Sequence, residues 1–198
     1  MSIGVKIQFA LVIVTCCSII VPLIIQFIKY IIFRPRISII TDINSDELFS
    51  ECTLIDSSTK IDTISFKIRI RNNGRKSAEN VQIIVSKVEF ENKKGTQSPR
   101  FPPLKLYWSY QDDRITHDLL PLTMKKIQPK SFEDCDFLFL NKQNKYGYFA
   151  AINSKFLINE YGRYTIKLII SGDNFNSFEK SITFTFNPNN EHFIQDLS

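Results

Sequence analysis

The chain has 198 residues, 43% of them hydrophobic and 23% charged, with a net charge of +5, which is ordinary composition for a folded globular protein. Two histidines far apart and four cysteines without a C-x-x-C pair supply no tetrahedral zinc set, and six glycines with no G-x-G spacing exclude a phosphate-cradling loop. The positive balance comes partly from cations that flank an apolar stretch, so it does not point to nucleic acid.

The apolar stretch comes first. From Ile7 to Phe33 little beyond Gln8, Gln26 and Lys29 resists transfer from water to lipid. A hydrocarbon core about 30 Å thick takes roughly 20 apolar residues as a helix, and Ile7 to Ile28 supplies that length. Amides inside lipid must pair within their own segment, so a single transmembrane helix is expected, bent slightly at Pro22. A cleaved signal peptide fits less well, because the run is too long, Lys6 is its one early charged side chain and no small-x-small site follows. Cys16 and Cys17, preceded by Thr15, read as small residues on a helix face rather than as a lipoprotein site. Lys6 precedes the helix whereas Lys29, Arg34 and Arg36 follow it, which places the soluble part on the cytoplasmic side, with an extracytoplasmic placement as the alternative. Pro35 disfavours helix at Arg34 and ends the span. Residues 1–36 are thus expected to form the anchor and a basic linker, residues 37–188 one domain, and residues 189–198 a polar tail.

Period-two alternation dominates the domain and predicts half-buried strands. Ile37 to Ile40 opens it. Ile64, Phe66, Ile68 and Ile70 share one face while Ser65, Lys67, Arg69 and Arg71 share the other. Val81, Ile83 and Val85 point inward, then the phase flips to Val88 and Phe90, which predicts a bulge near Ser86 and Lys87. Leu104, Leu106, Trp108 and Tyr110 share a face, as do Cys135, Phe137 and Phe139, which leaves Asp134 and Asp136 beside Leu138 and Leu140. The last pair is Tyr164, Ile166, Leu168, Ile170 and Phe178, Ile182, Phe184, Phe186, joined by a turn at Ser171 to Asn174. Tyr148 to Ile158 fits a strand or a short helix. Asn44 to Lys60, Glu91 to Pro103, Gln111 to Met124 and Asn141 to Glu160 read as insertions or loops. The pattern predicts an all-β, immunoglobulin-like antiparallel two-sheet sandwich preceded by one N-terminal transmembrane helix.

Two segments carry a family resemblance. Asn73-Gly74-Arg75-Lys76-Ser77-Ala78-Glu79-Asn80-Val81 looks like the B-to-C passage of CARDB-like, immunoglobulin-like sandwiches of bacteria and archaea, and Gly162-Arg163-Tyr164 followed by Gly172-Asp173-Asn174 is similar to their late strand and turn. The resemblance implies a fold shared by adhesion, carbohydrate-associated, assembly and structural modules, and transfers no binding residue. Gly74 is read as a tight, left-handed turn residue.

The candidate chemistry is sparse. Asp42, Asn44 and Asp46 have calcium-loop spacing, but Glu47 and Thr53 stand where such a loop needs glycine and a closing glutamate. Asp112, Asp113, His117 and Asp118 form the best acid/base cluster, in a segment expected to be a loop, with no nucleophile motif nearby. Lys67, Arg69, Arg71, Arg75 and Lys76 form a basic stripe that fits anionic lipid or a partner near the anchor, or else a solvated outer face paired with carboxylates. Trp108 with Tyr107 and Tyr110 suggests a sugar platform, yet Trp108 and Tyr110 alternate with core leucines. Cys52 and Cys135 are one potential disulfide or two thiols. The sequence therefore points to a membrane-anchored, non-enzymatic interaction module without cofactor or metal, touching the lipid bilayer and an unknown protein near it. The alternatives are a membrane-anchored hydrolase using Asp112 to Asp118 and an extracytoplasmic glycan- or envelope-binding module.

Overall fold

The computed structural model describes residues 3–40, 48–56, 59–108, 124–151, 156–189 and 194–195. The chain opens with helix α1 (Ile3–Phe33), which runs unbroken through Pro22. Its stretch Leu11–Lys29 has a mean hydropathy of 2.7, is not buried against the protein, and is long and apolar enough to cross a membrane. At about 1.5 Å per residue, 19 residues reach about 28 Å, close to a hydrocarbon core. The Thr15 and Ser18 hydroxyls donate back to the carbonyls of Leu11 (2.9 Å) and Thr15 (2.8 Å), so the helix satisfies these polar side chains itself. It stops at Phe33, where Pro35 was expected to stop it.

The described strands are β1 (Ile37–Ile40), β2 (Phe49–Asp56), β3 (Thr59–Asn72), β4 (Ala78–Asn92), β5 (Gly95–Gln97), β6 (Leu104–Lys105) and β7 (Lys125–Ile127). After them come β8 (Phe132–Asn141), β9 (Tyr146–Phe149), β10 (Leu157–Ile158), β11 (Gly162–Gly172), β12 (Phe175–Phe186) and β13 (Ile194–Gln195). They build two antiparallel sheets. The first has the order β1-β3-β8-β9-β10, with β2 sharing the β1 edge of β3, and the second has the order β13-β12-β11-β4 with β7, β6 and β5 along the other edge of β4. Inward rows of both sheets merge in one hydrophobic cluster: Phe66, Ile68 and Ile70 from β3, Ile83 and Val85 from β4, Ile166 and Leu168 from β11, Phe184 and Phe186 from β12. The Phe137 and Phe184 rings meet edge to face across the gap, 6.4 Å apart, which ties the two sheets through aromatic contact.

Between the sheets the backbone changes partners. β6 pairs with β4, Leu106 bridges to Ala151, and Trp108 bridges to Cys135 on β8, so residues 104–108 pass from the second sheet to the first. The Trp108 indole is buried and its Nε1 donates to the Val81 carbonyl at 3.1 Å, giving the polar end of a core ring its partner.

The β4 bulge is where the alternation placed it: Lys87 faces Lys167 and Val85 faces Leu168, leaving Ser86 as the extra residue. A second bulge was not expected. On β8, Leu138 faces Phe66 and Asp136 faces Lys67, so Phe137 is the additional residue and the phase flips after it. Leu138 and Leu140 are therefore buried and Phe139 turns outward, the reverse of the simple alternation, while Asp134 and Asp136 lie on the outer face. Residues 44–60 hold β2 and residues 141–160 hold β9 and β10, so these stretches are not plain loops. Ile194 returns to the core on β13, so residues 194–195 belong to the second sheet and not to a polar tail.

Cys52 lies opposite Thr63 on one edge of β3, and Cys135 opposite Ile68 on the other. Positions 63 and 68 are about 17 Å apart along an extended strand, and a disulfide needs α-carbons within about 7 Å. The register thus rules out the Cys52–Cys135 pair. The Cys135 thiol is free and buried, donating to the Tyr107 carbonyl at 3.0 Å.

Candidate functional site

Helix and sheets meet at a junction built around one buried amide. Asn72 ends β3, and its Oδ1 accepts from the backbone N–H of Arg36 (3.2 Å) and of Gly74 (2.9 Å) while its Nδ2 donates to the carbonyls of Lys76 (2.8 Å) and Ile127 (3.2 Å). Linker, turn and β7 are held by a single side chain. Asn73 N–H donates to the Arg36 carbonyl at 2.7 Å, and the Lys130 ammonium donates to the Asn73 carbonyl at 2.7 Å. Gly74 is not left-handed, as was expected of it; its necessity is contact. An added Cβ would sit 2.5 Å from the Arg34 carbonyl oxygen and 2.6 Å from the Arg36 nitrogen, so only glycine lets the linker lie flat on the turn.

The two segments that carry the family resemblance touch here. Asn80 takes the left-handed backbone (φ 50°) that asparagine tolerates, and its Nδ2 donates to Asp173 Oδ2 at 2.6 Å. Asn174 accepts from Glu79 N–H (3.1 Å) and donates to the Ser77 carbonyl (2.9 Å). The β11–β12 turn is therefore pinned to the start of β4.

Between this turn and the end of α1 lies a cleft of about 630 Å³, lined by Lys29 and Phe33 of the helix, Arg34 of the linker, Lys76, Asp173 and Phe175. Three cations meet one carboxylate there. Its walls are polar on the turn side and aromatic at Phe33 and Phe175.

The predicted basic stripe divides. Arg69 pairs with Asp134 at 2.8 and 3.2 Å and its guanidinium lies 4.1 Å over the Phe132 ring, and Lys67 is half-buried opposite Asp136. Arg71, Arg75 and Lys76 are exposed at the linker end of β3. The acidic run on β8 is engaged in the same way: Glu133 pairs with Lys125 at 2.6 Å and Asp136 accepts from Ser65 at 2.7 Å. Burial, with Asp136 and Asp134 close by, pushes the Cys135 thiol well up, so it stays protonated and unreactive.

Asp112, Asp113, His117, Asp118 and Tyr110, and the Asp42, Asn44 and Asp46 set, lie outside the described residues. Among the described residues no three His, Cys, Asp or Glu side chains converge on a metal position. Trp108 is core, so it offers no platform, but the β8 bulge turns Phe139 out beside Tyr148 (5.7 Å between rings), which lies 6.2 Å from Tyr146. The junction residues were legible only in part. Asn-Asn-Gly after an alternating run signals a turn, but nothing in one dimension reveals that Asn72 faces the linker or that Asp173 reaches Asn80. No family model matches the chain, and no curated protein matches it either.

Proposed function

We propose that the chain is a single-pass membrane protein whose β-domain is an immunoglobulin-like sandwich held against the bilayer, on the cytoplasmic side, as a non-enzymatic docking module for a protein partner. The observation that carries this reading is the length of the tie. Only Arg34, Pro35 and Arg36 separate an apolar helix from β1, and Asn72 and Gly74 clamp that linker to the domain. A span so connected keeps its domain within one protein diameter of the lipid and raises the local concentration of any partner in that layer. Strand order supports the immunoglobulin-like part: β1-β3-β8 and β12-β11-β4 follow the A-B-E and G-F-C orders, in the same succession along the chain. Meeting of the two CARDB-like segments supports it as well. The exposed Arg71, Arg75 and Lys76 support contact with anionic lipid or an acidic partner surface.

The test is vesicle association of the full chain. It should co-sediment with phosphatidylcholine vesicles through an alkaline carbonate wash, and Ile13→Lys, Ile20→Lys and Ile24→Lys together should release it, each lysine costing about 2.5–3.5 kcal/mol in the span. A wild-type chain that stays in the supernatant refutes the anchor. One observation favours a second reading, external glycan binding: the outward row of Phe139, Tyr148 and Tyr146. A reporter fused after Ser198 separates the two by the side on which it is active.

A further inference from the structure

We propose that the junction cleft binds the phosphate headgroup of an anionic phospholipid, an assignment that rests on the reading of α1 as a membrane span. Depth is the first argument. The apolar window of the helix ends at Lys29, and Lys29 is itself a wall of the cleft, so a spanning helix sets the cleft at the level where acyl chains give way to headgroups. A lysine one turn from the end of such a helix extends its ammonium toward that level.

Charge is the second. Lys29 and Arg34 at the end of the helix and Lys76 after β3 come from two distant stretches of chain, and the clamp at Asn72 and Gly74 brings them around one space. The carboxylate of Asp173 is held by Asn80 at 2.6 Å and keeps its charge, and the Asn174 amide is committed to Glu79 and Ser77, so three cations stand against one carboxylate and the cleft is net positive. Ammonium and guanidinium groups bind phosphate oxygens through charge-assisted hydrogen bonds.

Shape is the third. About 630 Å³ lies within the usual range for a small-molecule site. Phe33 and Phe175 add an apolar wall to the cationic one, which suits an amphiphile, whose glycerol and first methylenes follow the phosphate. A free phosphate ion has no use for that wall.

The experiment takes the full chain in detergent, adds phosphatidylglycerol or phosphatidylcholine, and counts retained lipid by native mass spectrometry. Phosphatidylglycerol should be retained preferentially, and Lys76→Gln should weaken its retention about fivefold, the worth of one cation near an anionic surface. Lys87→Gln, at a lysine paired with Glu89 away from the cleft, should change nothing. Asp173→Asn should strengthen retention. Equal retention by wild type and Lys76→Gln overturns the proposal, as does full displacement of the lipid by glycerol phosphate or inorganic phosphate. Lys76 lies outside the helix, so its substitution leaves the span intact. Co-sedimentation with phosphatidylcholine vesicles without a Lys76 effect therefore sinks the cleft alone, whereas failure to co-sediment at all sinks the anchor and the cleft with it.

Discussion

Asn72 concentrates more of the junction than any other residue. Truncating it to alanine takes the partner from two N–H groups, one buried at Gly74 and one part-buried at Arg36, and from two carbonyls, and full chain carrying Asn72→Ala should lose about 2–4 kcal/mol of domain stability in chemical denaturation. Gly74→Ala should cost about 1–3 kcal/mol, because the clash is with backbone and cannot be relieved by a rotamer change. A loss below about 0.5 kcal/mol for both would mean that the linker is not clamped as described. Tyr164 offers a pH test. Burial pushes its phenol up to about 12, with its hydroxyl donating to the Glu160 carbonyl at 3.2 Å. An acid with a raised folded pKa keeps its proton in the folded state, so the unfolded state ionises first. The stabilisation is fully present below about pH 10 and is lost as pH climbs toward 12. Wild type should lose stability over that window more steeply than Tyr164→Phe, as denaturation midpoints at pH 9 and pH 11 will show. Parallel curves would mean that the phenol is not buried.

Strands record how far a one-dimensional pattern reaches. β11 and β12 in their buried halves, and β3 from Phe66 onward, alternate without interruption, and their inward residues were legible because each residue's face depends only on its neighbour's; ahead of Phe66 the run Thr63 to Ser65 is buried on both faces, Ser65 included. The β4 bulge was legible too, since Val85 and Val88 are out of phase and both apolar. β8 misleads because Phe137, Leu138, Phe139 and Leu140 are all apolar, so no residue marks where the phase changes; only the partner strand does. The cleft was illegible for a related reason: its residues lie far apart along the chain and meet through side-chain amides. The β4 bulge also makes a prediction. Lys167 and Leu168 on β11 are consecutive, so deleting Ser86 restores a regular ladder with Val85 and Val88 still inward. That deletion should cost no more than about 1 kcal/mol, chiefly the Ser86 hydroxyl bond to the Lys167 carbonyl. Inserting one alanine after Ile83 turns Val85 outward and should cost several times as much in the same denaturation assay, an order that would reverse if the extra residue fixed the register.

At the scale of the whole molecule, orientation and lipid choice are one question. The proposed cytoplasmic placement rests on Lys29 at the end of the apolar window and Arg34 and Arg36 beyond it, against Lys6 before it, three against one. Ser2→Arg and Ile3→Arg together with Arg34→Ser and Arg36→Ser leave three cations before the window and one at its end, without touching the backbone atoms through which Arg36 meets Asn72 and Asn73. Cations near a span hold their side in the cytoplasm, so a reporter after Ser198 should be active inside for the wild type and outside for the swapped chain. Anionic lipid is enriched in the cytoplasmic leaflet, where each nearby cation contributes about 1 kcal/mol. Inversion moves the cleft to the opposite leaflet, while the Arg34→Ser substitution by itself takes one cation from its wall. Chains extracted from cells should then carry less anionic lipid when swapped than when wild type, and less than chains with Arg34→Ser and Arg36→Ser alone. A swapped chain that inverts yet keeps the anionic lipid of that double variant would show the lipid to be bound regardless of leaflet, separating the site from the orientation that brings it to its ligand.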